Sequence, residues 1–176
     1  MAILELYIAA RVTGIKKLLK TINGNIMTNF KMQQSDINQI KKFEGLSLKA
    51  YKPVSTEKYY TIGYGHYGPD VKANQVITEK EAESLLRKDL EKFEAYVNKL
   101  DVCKRYFEFA SLVDFTFNLG TAALGRSTLL KYIRAGKPEQ YIRGEFAKWV
   151  NSGGVPLKGL KVRRQWEADR YFGKEG

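Results

Sequence analysis

The sequence has one cysteine, Cys103, so the chain cannot close a disulfide on itself. That fits synthesis in a reducing compartment, and Cys103 reads as a small core residue. A single histidine, His66, leaves too little imidazole for a histidine-rich metal site, and no metal or cofactor is expected. No apolar run approaches the ~20 residues needed to cross a bilayer. The apolar opening from Ile3 to Ala10 already contains Glu5, and Arg11 follows at once. Arg11, Lys16, Lys17 and Lys20 come after that stretch, the reverse of the charge order in a secretory signal, so neither a signal nor an anchor is expected. No repeat period, zinc-finger cysteine spacing or long low-complexity tract is visible. Acidic residues are also short: 19 stand against 30 lysines and arginines, a net charge of +11 in 176 residues.

Such a surplus points to an acidic partner: nucleic acid, an anionic membrane surface or an anionic wall polymer. Nucleic acid has only the charge behind it and is not expected as a partner. The length fits one domain, or one domain with two small lobes.

Residues 1–34 read as an N-terminal extension outside the fold, and residues 35–176 as the domain. Within the extension, Ile15 to Ile22 is weakly amphipathic and suits a membrane surface, although a stretch without any role is the simpler reading. Met27 and Met32 stand just before the organised part, where either could serve as a start.

From Ser35 the signals are regular. Ser35 is placed as an N-cap, Ile37, Ile40 and Phe43 recur at helical spacing, and Gly45 stops the helix. Glu44 therefore falls in its last turn. Residues 46–68 change period: Leu48, Ala50, Tyr59, Tyr60, Ile62 and Tyr64, broken by Pro53 and glycines, predict short strands and turns. Thr78 with Glu81 forms a capping box that opens a long helix with Ala82, Leu85, Leu86, Leu90, Phe93, Val97 and Leu100 on one face. Tyr106 to Leu119 is apolar nearly all round and predicts a buried central helix ending at Gly120. Ser127 caps a short helix that stops at Gly136. Pro138 opens another, running to about Val150. Residues 151–154 form a loop, and a last helix runs from roughly Lys158 to Phe172. The expected class is α+β: a small sheet lobe near the N-terminus and a larger helical lobe, joined by the long helix. A cleft between such lobes suits an extended substrate.

Glu44 stands out chemically. A carboxylate at a helix C-terminus faces the negative end of the macrodipole, and Phe43 and Leu46 flank it. Both features are expected to push its pKa upward, as a general acid at neutral pH requires. The plain alternative is an exposed glutamate at a helix end. Glycoside hydrolysis with inversion needs a second group that activates a water on the opposite face of the sugar, the two carboxyls lying about 6.5–9.5 Å apart. Glu57 is the only carboxylate in the turn 52–58, and it reads equally as a turn charge beside Lys58. Ser55 and Thr61 offer hydroxyls that can hold a water. Gly63 and Gly65 allow close backbone approach to a ligand or another strand, or mark a bulge.

Taken in order, Phe43-Glu44-Gly45-Leu46, Leu48-Lys49-Ala50-Tyr51 and Thr61-Ile62-Gly63-Tyr64-Gly65-His66 resemble the opening blocks of the phage-type lysozymes (glycoside hydrolase family 24). The resemblance continues through Leu112 to Gly120, Ser127 to Leu130, Phe146 to Gly154, and Gly159-Leu160 to Arg163-Arg164, covering about Ser35 to Phe172. It implies a two-lobed lysozyme-like fold without a cofactor, acting on bacterial peptidoglycan at the β-1,4 bond between N-acetylmuramic acid and N-acetylglucosamine. Glu44 matches the family's acid and Thr61 its threonine. The family's Asp or Cys between them has no match: the stretch is longer than usual, and the family's spacing lands on Pro53 counted forward from Glu44 and on Ser55 counted back from Thr61. Glu57 and Ser55 are the candidates for its work.

His66 resembles the family's histidine after the glycines. It is expected to anchor the sheet to the Glu44 helix, and it remains a candidate for substrate contact. Phe117 and Thr128 match cleft-lining positions, with core packing as the alternative for Phe117. Asp114, within an apolar helix, demands a partner such as a nearby arginine. Arg126, Lys131, Arg134, Lys137, Arg143, Lys148, Lys158, Lys161, Arg163, Arg164 and Arg170 give a weak attraction to anionic surfaces, or simply solvated helix faces.

The resemblance further implies a monomer waiting in the host cytoplasm until it reaches the wall. Two other readings compete: a wall-binding module that has lost catalysis, motivated by the missing Asp or Cys, and a cationic membrane-active protein.

Overall fold

The computed structural model describes residues 18–22 and 25–174. The apolar opening Ile3 to Ala10 lies outside the described residues. The elements are, in order, β1 (Leu18–Ile22), β2 (Asn25–Asn29), α1 (Gln34–Glu44), β3 (Ser47–Tyr51), β4 (Tyr60–Gly63), β5 (His66–Gly68), α2 (Glu79–Leu100), α3 (Tyr106–Leu119), α4 (Thr121–Arg126), α5 (Thr128–Arg134), α6 (Glu139–Ala147), β6 (Asn151–Ser152), β7 (Val155–Pro156) and α7 (Lys158–Tyr171). This is the expected α+β arrangement: a small antiparallel sheet, β3-β4-β5, against a larger set of helices.

Leu18–Ile22, within the weakly amphipathic stretch, is a strand paired antiparallel with Asn25–Asn29. The chain is docked from Phe30 onward, ahead of residue 35. Phe30 and Met32 are buried. The Phe30 N–H donates to Asn98 Oδ1 at 3.0 Å, the Met32 N–H to Glu94 Oε1 at 2.9 Å, and Lys31 pairs with Glu94 at 2.6 Å. A boundary at residue 35 leaves these contacts on the wrong side, and we propose that the packed domain begins at about Phe30.

α1 is not capped by Ser35. The helix starts one residue earlier, Gln33 is its N-cap without a side-chain cap bond, and the Gln33 N–H donates to the Tyr106 hydroxyl at 2.7 Å. A tertiary contact thus does the work of a local cap, and it fastens α1 to α3. Asp36, 2% exposed in the first turn, completes the fastening. It accepts from Tyr106 Oη at 2.7 Å and from Arg170 of α7 at 2.7 and 2.9 Å.

α2 carries the expected capping box, with Thr78 Oγ1 accepting from the Glu81 N–H and Glu81 accepting from the Thr78 N–H. Its first half meets the sheet. A side chain at Gly63 would stand 3.2 Å from the Ala82 Cβ, so the glycine lets strand and helix close together. Its second half meets the helical lobe, where Phe93 packs edge-on against Phe117 of α3. α3 is the core of that lobe: Phe109, Leu112, Val113 and Phe115 are fully buried. Ser127 caps α5 as expected, accepting from the Leu130 N–H. α6 stops at Ala147 rather than near Val150, because the chain turns into the short β6–β7 hairpin through Gly153 and Gly154, both at positive φ. Among the described residues, no helix is long and apolar enough to cross a membrane.

Candidate active site

Glu44 closes α1 because Gly45, at φ 71°, turns the chain into β3 while its N–H still bonds back to the Lys41 carbonyl. The surroundings of the carboxylate differ from the apolar flank expected. Leu46 is 42% exposed and does not enclose it. What holds it is Arg163, 119 residues away on α7, whose Nη1 donates to Glu44 Oε1 at 2.7 Å. Arg163 lies over the Phe43 ring, 5.2 Å from its centroid.

The same guanidinium grips Asp114 of α3 with its other two nitrogens, Nε to Oδ2 at 3.0 Å and Nη2 to Oδ1 at 2.7 Å. Asp114 is fully buried. The arginine that a buried aspartate demanded is therefore Arg163, and the pair is bidentate, the strong geometry for a desolvated ion pair. Burial works against the charge of Arg163, but Asp114 and then Glu44 outweigh it and hold the guanidinium ionised. One turn on, Glu167 is also fully buried. Burial, and behind it the charge of Asp114, push its carboxyl well above the usual range, although Arg164 Nη2 lies 2.7 Å from its Oε1.

The second oxygen of Glu44, Oε2, accepts no hydrogen bond among the described residues. It faces Gly65, where a Cβ would stand 3.6 Å away. Gly65 sits at φ 86° between β4 and β5. The Gly-Tyr-Gly run thus divides its work: Gly63 admits α2, and Gly65 leaves one side of the carboxylate uncovered. Thr61 is 7% exposed on β4, opposite Tyr51 on β3 and Tyr67 on β5. Gly63, at the end of the same strand, pairs with Ser47, so β4 lies beside the segment that leaves Glu44.

Ser55 and Glu57 lie on the connection between β3 and β4. It is closed by the Glu57 N–H donating to the Val54 carbonyl, and by Lys52 Nζ donating to the Glu57 carbonyl at 2.7 Å. Ser55 is exposed and Glu57 half-buried. Neither side chain makes a hydrogen bond to Glu44, Arg163 or Thr61 among the described residues. Phe117 is half-buried against Phe93, and Thr128 is exposed at the start of α5.

His66 is placed otherwise than expected. Its Nδ1 bonds Asp89 of α2 at 2.8 Å and its Nε2 bonds Asp70 at 3.0 Å. It anchors the sheet to α2, not to the Glu44 helix, and both ring nitrogens are occupied by the protein. Burial disfavours its charged form, but the hydrogen bonds to Asp89 and Asp70 prevail and raise its pKa above the ordinary 6.5. Cys103 packs against the core, and burial, helped by Glu108 and Asp101, pushes its thiol up to about 12, which leaves it unreactive.

A helix-end glutamate held by an arginine from the last helix, beside a Gly-Tyr-Gly turn, is the arrangement against which relatives can be set. The family model for phage lysozyme matches residues 41–167. This chain belongs to the phage lysozyme family. It is 52% identical over 144 residues to an endolysin of Bacillus phage B103, covering 80% of this chain and 54% of that protein. The chain thus spans about half the length of that relative. Among solved structures, the endolysin from Escherichia coli O157:H7 phage FAHEc1 superposes with a TM-score of 0.72 at 37% identity, covering 82% of this chain and 94% of that one. The muramidase domain of SpmX from Asticaccaulis excentricus gives 0.72 at 29% identity, covering 80% and 97%. The lysozyme-like fold expected from the motifs is therefore the fold of this family member. The sequence reading missed Arg163 as the partner of Glu44. The signal was the adjacent Arg163-Arg164 pair in a helix whose register also carries Glu167.

Proposed function

We propose that this phage lysozyme family member hydrolyses bacterial peptidoglycan at the β-1,4 bond between N-acetylmuramic acid and N-acetylglucosamine, with Glu44 as the acid. The observation that carries the reading is the unequal environment of the two Glu44 oxygens. Oε1 is clamped by Arg163, while Oε2 is unpartnered and faces a glycine. A general acid needs one oxygen fixed for aim and one free to present its proton to the leaving glycosidic oxygen. Asp114, bidentate on Arg163, balances the guanidinium charge, so Arg163 serves Glu44 chiefly as a clamp. Once the proton has gone, the same contact stabilises the carboxylate left behind.

For the water that completes the cleavage, Glu57 on the β3–β4 connection is the candidate base, and Ser55 on that connection and Thr61 on β4 are candidate holders of the water. Phe117 and Thr128 are candidates for sugar or peptide contact. The protein works as a monomer without a cofactor and reaches the wall from the host cytoplasm. Six of the eleven C-terminal cations, Arg126, Lys131, Arg134, Lys137, Lys158 and Lys161, make no ion pair among the described residues and support attraction to an anionic wall.

Mass analysis of muropeptides released by the protein and by Glu44→Gln, Glu57→Gln and Ser55→Ala tests the reading. Fragments ending in reducing N-acetylmuramic acid, lost in Glu44→Gln, are expected. Loss in Glu57→Gln but not Ser55→Ala assigns the base to Glu57. Wall binding with no new reducing ends from the unmodified protein would contradict the enzyme and leave a binding module.

A further inference from the structure

We propose that Glu167 is a positioning residue for Glu44: a neutral buried acid that donates its carboxyl proton to Asp114 and so keeps the Arg163 fork aimed. The role presupposes Glu44 as the general acid and extends that site by one residue of α7.

The charges around Arg163 come from three helices. α7 supplies Arg163, Arg164 and Glu167, α3 supplies Asp114, and α1 supplies Glu44. From α6, Arg143 is engaged instead by Glu139 and Asp169. Two guanidiniums therefore face three carboxyls, and the charges balance when one carboxyl keeps its proton. Asp114 is not that one, because both its oxygens accept from Arg163. Glu44 has one oxygen on Arg163 and is partly open to water, so its proton can come and go with the reaction. Glu167 has neither support. Its side chain is fully buried, and both its oxygens lack a hydrogen-bond partner. Arg164 Nη2 approaches Oε1 to 2.7 Å, but its hydrogen bond goes to Asn118 Oδ1 at 2.8 Å. A carboxyl so placed keeps its proton rather than carry an unsolvated charge. Asp114 lies within its hydrogen-bonding reach, and burial followed by the Asp114 charge outweighs the pull of Arg164 and Arg163. Arg164 still has company for its charge, with its guanidinium 5.1 Å from the centroid of the Phe115 ring.

The proton on Glu167 decides what Arg163 does. Glu167 Oε1 stands 3.8 Å from Arg163 Nε, the nitrogen that donates to Asp114 Oδ2 at 3.0 Å. Were Glu167 ionised, two carboxylates would repel each other and compete for that nitrogen. A guanidinium drawn toward Glu167 turns Nη1 away from Glu44. Protonated, Glu167 replaces the competition with a hydrogen bond that braces Asp114 beneath the fork.

Infrared spectra and melting curves of the unmodified protein, Glu167→Gln and Glu44→Gln, taken from mildly acidic to alkaline pH, test the proton. A carboxylic-acid C=O band at neutral pH, lost in Glu167→Gln and retained in Glu44→Gln, is expected. With its folded value above the ordinary 4.5, Glu167 adds stability that is fully present below the unfolded value and lost as pH rises through the folded one. The Tm of the unmodified protein is therefore expected to fall relative to Glu167→Gln as pH rises. Absence of the band, or a Tm lead over Glu167→Gln that grows from acid to neutral pH, would mark an ionised partner of Arg164 and overturn the proposal. Cleavage kinetics well below each melting temperature test the aim. Glu167→Met, similar in length but without a donor, is expected to lose roughly tenfold in kcat with KM little changed. Glu167→Gln, whose amide can donate to Asp114, is expected to recover most of that loss. Equal kcat in all three proteins would overturn the positioning role. The spectra and melting curves involve no cleavage and stand in if Glu167→Met fails to fold. A failure of Glu44 as the acid shows separately, as full cleavage by Glu44→Gln.

Discussion

Arg163 binds Glu44 and Asp114 at once, one with Nη1 and the other with Nε and Nη2, and so ties the end of α1 to the buried face of α3. The three residues lie far apart in sequence, and no local rule relates them. The clamp gives the helix-end carboxylate a fixed aim. It also makes the site hostage to the packing of α7.

Arg163→Ala leaves the buried Asp114 charge without its partner. The expected loss of stability is about 3–5 kcal/mol, the usual cost of breaking a buried pair, read as a shift of the urea midpoint. Arg163→Lys keeps the charge but cannot hold both carboxylates in the same fork. It is expected to fold with a smaller loss, yet to clear wall suspensions markedly more slowly. Unchanged clearing by Arg163→Lys would show that the clamp does not position Glu44.

Gly65 is tested by Gly65→Ala. At φ 86° an L side chain is strained, and the added Cβ would sit beside the free oxygen of Glu44. Stability is expected to fall by ~1–2 kcal/mol. Glycan cleavage measured well below the melting temperature is expected to fall further than that loss explains. Gly136→Ala, also at positive φ but just past α5 rather than beside Glu44, and with no atom beyond its chain neighbours within 4 Å of the new Cβ, is the comparison for strain alone.

His66 predicts a pH dependence with a definite sign. Its folded pKa lies above the ordinary 6.5 because Asp89 and Asp70 favour the charged ring against the opposing effect of burial. Stability from this contact is fully present below the unfolded value and is lost as pH rises through the folded one. The gap in Tm between the unmodified protein and His66→Gln is therefore expected to be widest in mildly acidic buffer and to narrow on going alkaline. A gap that widens with rising pH would contradict the Asp89–His66–Asp70 assignment.

Most of the fold was legible because its signals are local. Thr78 with Glu81, Ser127 before α5 and Gly120 after α3 each act within a turn of where they stand. Glu44 was legible in the same way, as the last helical residue before a glycine. What the sequence hid depends on partners distant along the chain. Tyr106 replaces the cap that Ser35 seemed to provide, Asp89 rather than α1 receives His66, and Arg163 rather than an apolar flank governs Glu44. Phe30 and Met32 looked like part of a tail because their anchors, Asn98 and Glu94, lie at the far end of α2.

The most direct test of the central claim is reducing-end release from purified peptidoglycan by the unmodified protein and by Glu44→Gln, with the melting temperature of each measured alongside. Glu44→Gln is expected to keep its Tm within a few degrees and to lose roughly 10²–10⁴-fold in rate, the span of a missing general acid. Release at the unmodified rate by a folded Glu44→Gln would contradict the account.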